Sequence, residues 1–329
     1  MLPMRCQNET LNAIKAIACV CVVFMHCEFP DALGVYVQAI SRWCVPFFFM
    51  ISGYFCLDEN FEFCSRDKVF RKLLHILSLT GGAVAFYIAV NLMTSLWSGQ
   101  FSFCITPKML FKFLAFNVPF FVPGQLWFLF ALVGVYIAVY CLLRLNLSYV
   151  IIPLGIVMCI VYLCLAQGFH LLGIGMPGWV YRSWVVEGIA FFSLGALLRC
   201  KSRSLSRTWF FIVLLVISSV LCLLERWWMG RDFGVQICSF MQVVSIFAIG
   251  ILCPSEKETW LSRTGKHYSM LVYVLHPFVW HSVEDLYRLM TWDGNLFALY
   301  VMPVLVVALT FVLSACVNVV NRRVRRLYA

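Results

Sequence analysis

Residues 12–28 read NAIKAIACVCVVFMHCE, an apolar run suited to a membrane-crossing helix, with Lys15 near one end and His26 near the other. An ionisable side chain in such a segment is costly and usually has a reason. Eleven residues of α-helix rise about 16 Å and complete about three turns. The spacing therefore predicts that Lys15 and His26 lie at different depths on nearly the same face. Two accounts stay open at this point. In one, Lys15 snorkels to the interface and His26 bonds a neighbouring helix. In the other, the pair serves chemistry.

The rest of the chain has the same character. Of 329 residues, 63% are hydrophobic and 12% charged, whereas a soluble domain carries about a quarter charged residues. The composition predicts an all-α, polytopic transmembrane bundle. Windows of spanning length fall near Leu11–Cys27, Ala39–Leu57, Leu74–Trp97, Leu126–Leu143, Tyr149–Ala166, Ser183–Leu198, Trp209–Leu224, Phe233–Leu252, Ser269–Val283 and Leu296–Val319, which predicts about ten helices. The stretch Met109–Val122 is apolar but short, with Pro119 inside it and Pro123 just after. It reads as re-entrant or interfacial rather than as an eleventh crossing. Residues 1–329 are expected to form one integral-membrane domain without a soluble one, and no internal repeat stands out. No cleaved leader is expected, because the first apolar run lacks a small-residue cleavage site and carries His26 and Glu28.

The net charge of +10 is explained by topology. With a cytoplasmic N-terminus, seventeen Lys and Arg fall on the inside: Arg5, the cluster Arg66, Lys68, Arg71 and Lys72, then Arg144, Arg199, Lys201, Arg203, Arg207, Lys257, Arg263, Lys266 and the tail Arg322, Arg323, Arg325 and Arg326. Six fall outside: Lys108, Lys112, Arg182, Arg226, Arg231 and Arg288. This is the positive-inside pattern, with both termini cytoplasmic. It calls for no nucleic acid partner, and the basic tail suits an anionic leaflet.

Several motifs carry less than they promise. The sixteen cysteines contain no CxxC pair, so neither zinc nor a redox centre is expected, and no metal site is predicted. GIGMPG at 173–178 matches a dinucleotide-binding pattern but has no strand before it. The sequons at Asn8 and Asn146 fall on the inner side or in a short loop. Trp227 and Trp228 suit an interfacial belt as well as a sugar platform.

The second predicted helix contains SRWCVPFFFMISGYF, residues 41–55. Here the chain resembles the integral-membrane acyltransferase-3 family, whose members move acyl groups onto extracytoplasmic sugars. The resemblance rests on a basic residue, ten intervening residues and a histidine (Lys15 and His26). It rests further on Phe48-Phe49 with Ser52-Gly53-Tyr54, and on weaker echoes at 126–132 (LWFLFAL), 192–198 (FSLGALL) and 269–279 (SMLVYVLHPFV). Lysine stands where the family commonly has arginine, which keeps the charge but not a bidentate fork.

What the resemblance implies is an O-acyltransferase of a bacterial inner membrane, with cytoplasmic acetyl-CoA as donor substrate and no permanently bound cofactor. The acceptor would be a glycan or lipid-linked sugar. Lys15 with Arg66, Lys68, Arg71 and Lys72 would hold the donor's phosphates. His26 would take a proton from the acceptor hydroxyl, a task suited to its ordinary pKa near 6.5. Glu187 would orient His26 or touch the acceptor, or else pair with an arginine. Arg42, Ser52 and Tyr54 are candidates for acceptor binding, against headgroup anchoring for Arg42 and helix packing for Ser52. His276, just before Pro277, reads first as hydrogen bonding around a proline kink. The rival reading is a transporter for a small polar solute, with Lys15, Arg42 and Glu187 lining its route. A third is a helper in a glycan-export complex, which would tolerate loss of His26.

Overall fold

The computed structural model describes residues 8–58, 60–99, 105–202, 204–229 and 237–327. Arg5, Arg203, Arg231 and the expected start of the eighth span at Phe233 lie outside them. The described residues contain helices and connections, one isolated bridge between Leu57 and Phe63, and no strand. Seven helical stretches among them, including the broken Asp31–Tyr54 and Ser148–Leu171, are long and apolar enough to cross a membrane, where about ten were expected.

The chain divides into two compact units. The first joins Met1–Phe47 to Ser202–Ala329. It holds α1 (Glu9–His26), α2 (Asp31–Ser41) and the start of α3 (Cys44–Tyr54). The second, Phe48–Lys201, holds the rest of α3, then α4 (Arg66–Ser98), α5 (Pro107–Phe116), α6 (Trp127–Arg144) and α7 (Ile151–Leu163). It continues through the short α8 (Phe169–Leu171) and α9 (Gly178–Tyr181) to α10 (Ile189–Lys201). The first unit is completed by α11 (Thr208–Met229), α12 (Ile237–Leu252), α13 (Trp260–Leu289) and α14 (Leu296–Leu327).

Several boundaries differ from the sequence expectation for identifiable reasons. The second span is not one helix but α2 and α3, separated at Arg42 and Trp43. Pro46 has no N–H to donate to the carbonyl of Arg42, four residues back, so that bond is missing at the break, and α3 takes the proline into its first turn. Arg42 caps α2 and is only 6% exposed. The basic cluster from Arg66 to Lys72 forms the first two turns of α4, which begins ahead of the expected span at Leu74. The segment at 109–122 holds α5, ten residues long, which is about 15 Å of helix and too short to cross. The Asn8 sequon is a helix cap: its side chain accepts from Leu11 N and donates to Gly250 O. A cap of this kind fills one of the open donors of the first turn.

Within the first unit, α1 lies along α13. Contacts pair Cys19 Sγ with the carbonyl of Ser269, and the ring of His26 with that of His276. A Cβ on Gly265 would meet the carbonyl of Asn12. Both members of these pairs advance together, so the two helices are parallel. Parallel spans require an odd number of crossings between them, a condition that the seven expected crossings satisfy. A reporter fused after α14 should accordingly read as cytoplasmic, like one at the N-terminus; a signal from outside would overturn the ten-span topology.

Candidate functional site

The seam between α1 and α13 carries ionisable groups at both ends. At its N-terminal end Glu9 is buried, and its carboxylate meets the Lys266 ammonium 3.6 Å away. Lys15 Nζ donates to Asn12 Oδ1 at 3.1 Å and lies within electrostatic range of both Glu9 and Lys266. Two ammonium groups and one carboxylate thus share this end, leaving a net positive charge suited to an anion. The helices approach so closely here because residue 265 is glycine, with no Cβ to strike the Asn12 carbonyl. Thr259 starts α13 with a capping box to Ser262, which places Lys266 on the second turn. Lys266 is a site residue that sequence reasoning counted only as a topology signal. The Thr259-x-x-Ser262 box ahead of it was a usable clue to where the helix begins.

At the other end, the imidazoles of His26 and His276 stack with centroids 5.4 Å apart and planes 23° from parallel. His276 is 1% exposed, and its Nδ1 lies 2.8 Å from the Tyr273 carbonyl. Just beyond His26, Gln38 hydrogen-bonds the carboxylate of Glu28 and the Met25 carbonyl, tying α2 to the end of α1. The expected common face for Lys15 and His26 is thus realised against one partner helix. The two residues stand about 16 Å apart along it.

The other candidates are distributed differently. Glu187, 3% exposed, lies in the second unit on a π-helical turn, Trp184–Gly188. The Gly188 N–H reaches back five residues to Ser183, and Asn117 accepts from the Trp184 N–H at 2.7 Å. Such turns insert one extra residue and recur at functional sites. Ser52 donates to the Phe48 carbonyl of its own helix. Its neighbour Gly53 lies against the backbone of Phe192, and Gly195 against that of Met50. Two of the family-like motifs are therefore the two sides of one close helix crossing.

Tyr54 accepts from Arg199 Nη1 at 2.9 Å, with the guanidinium 4.9 Å from its ring centre. Nearby, Lys72 donates to the Phe55 carbonyl. Tyr54 thus shares the basic end of α3, about 15 Å along the helix from Cys44. Arg42 belongs to the first unit, whereas Ser52 and Tyr54 belong to the second. Trp227 and Trp228 end α11 mostly exposed, as side chains of an interfacial belt are. No cluster of three or more metal-ligating side chains occurs among the described residues.

Fold and seam together define the class, a polytopic α-helical membrane protein with an ionisable track between two of its helices. The chain belongs to acyltransferase family 3: the family profile described as an acyltransferase domain matches residues 8–320. That membership is what the motifs on α1 and α3 led one to expect. A serine/alanine racemase of Enterococcus gallinarum is 26% identical over 310 residues, covering 83% of this chain and 41% of that protein. The chain thus spans about two-fifths of the relative's length. No solved structure matches it.

Proposed function

We propose that the protein moves an acetyl group from cytoplasmic acetyl-CoA to a hydroxyl of an extracytoplasmic glycan or glycan precursor at a bacterial inner membrane. The observation that carries this reading is the α1–α13 seam, cationic at one end and imidazole-lined at the other. A pantetheine arm is long enough to bridge a depth of about 16 Å. Lys15, beside Lys266, holds the donor's phosphates, and the thioester then lies near His26. His26 takes the hydroxyl proton as the oxygen attacks the thioester carbonyl. The C–S bond breaks, the ester forms, and the leaving thiolate recovers the proton from the imidazolium to give free CoA.

The test supplies membranes with radiolabelled acetyl-CoA and follows both label in the glycan fraction and free thiol. Equal amounts of each support the reading. Movement of unmodified solute with no CoA released would establish the transporter instead. On the donor side, Lys15→Ala is expected to weaken CoA binding about 10- to 100-fold, the loss of one charge-assisted contact. Lys15→Arg should bind nearly as wild type, since it restores the charge. Calorimetry with CoA checks this, and unchanged affinity in the alanine variant would remove Lys15 from the donor site.

A further inference from the structure

Residue 277 is proline, so α13 lacks the N–H that would bond the carbonyl of Tyr273, four residues back. The side chain of His276 fills that place: its Nδ1 lies 2.8 Å from the Tyr273 carbonyl and 3.3 Å from that of Val272. A carbonyl only accepts, so Nδ1 carries the hydrogen, and the neutral ring keeps its lone pair on Nε2. That nitrogen is buried and has no hydrogen-bond partner among the described residues. A charged ring would be worse, with an N–H and a cation both buried in an apolar helix pair. Unfilled interior acceptors are rare in native proteins and often mark a ligand or a reacting group. This one belongs to a ring stacked 5.4 Å from His26.

We propose that Nε2 of His276 is an acceptor-binding contact, receiving a hydrogen bond from a second hydroxyl that neighbours the one His26 deprotonates. The inference rests on the function proposed above. A single hydroxyl has one hydrogen, and His26 removes it, so Nε2 of His276 needs another donor on the same molecule. Hydrogen bonds of about 2.8 Å to each ring let adjacent hydroxyls of a sugar or polyol engage both imidazoles. The acyl acceptor is therefore one that carries hydroxyls side by side.

Two substitutions separate this role from the repair of the proline gap. In His276→Asn the side-chain amide reaches the Nδ1 position, so it preserves the bond to Tyr273 and loses the outer acceptor. In His276→Gln the amide reaches the Nε2 position, so it preserves an acceptor there and loses the Tyr273 bond. Full-length protein is assayed with labelled acetyl-CoA over a concentration series of extracted surface glycan, per amount of inserted enzyme. His276→Asn should raise the glycan KM about tenfold, as for one lost hydrogen bond, while leaving the KM for acetyl-CoA unchanged. His276→Gln should lie closer to wild type. The reverse order, with asparagine the better substitute, would show that His276 only repairs the helix and would overturn the proposal. So would an unchanged glycan KM in both variants. Absence of transfer by the wild type would overturn the proposed function and this inference with it.

Discussion

Replacing His26 by alanine is expected to lower acyl transfer by about a hundred- to ten-thousand-fold, the usual contribution of a positioned general base. Membrane insertion should be intact, because removing a polar group from an apolar helix favours insertion. His26→Gln should fail to a similar degree. Its amide retains a hydrogen bond but cannot take a proton near neutral pH. The stacking of His26 on His276 makes this pair of variants informative. If the histidine only held α1 against α13, glutamine would restore activity and alanine would reduce the amount of folded protein. The measurement is label transfer at matched protein level, and near-wild-type transfer by either variant would place the base elsewhere.

Gly265→Ala is expected to disable the enzyme without touching any side chain of the site. The new methyl would fall 1.9 Å from the Asn12 carbonyl oxygen and 2.8 Å from the Ala16 nitrogen. Both are backbone atoms, so no rotamer change relieves the clash and α1 must move off α13. Overpacking of this kind costs about 1–3 kcal/mol, at times more. The displaced seam carries Lys15 at one end and His26 at the other. The variant should therefore melt at lower temperature in detergent and lose both CoA binding and transfer. Gly82→Ala, in α4, is the control, because a Cβ there meets nothing within 4 Å and should leave both properties as they are. Wild-type melting and activity for Gly265→Ala would mean that the two helices do not depend on this contact.

Hydropathy and charge along the chain were sufficient for the membrane class, for seven of the expected spans and for placing Lys15 and His26 on one face. These properties are local: a span needs its own apolar length, and eleven residues of helix return to nearly the same side whatever lies opposite. The break at Arg42 left a local signal in Pro46, whose missing N–H acts four residues back, but the expected single span from Ala39 to Leu57 passed over it. The shortness of α5 was readable from its length and flanking prolines. The partners across the seam were not. Nothing local to residue 26 specifies His276, 250 positions away, or brings Lys266 beside Glu9. Helices in lipid pair by close packing at small residues and by occasional polar contacts. A chain with nineteen glycines offers many such surfaces of nearly equal merit. Which glycine meets which backbone, Gly265 with Asn12 and Gly53 with Phe192, depends on the fit of whole helices, and only the tertiary structure decided that fit.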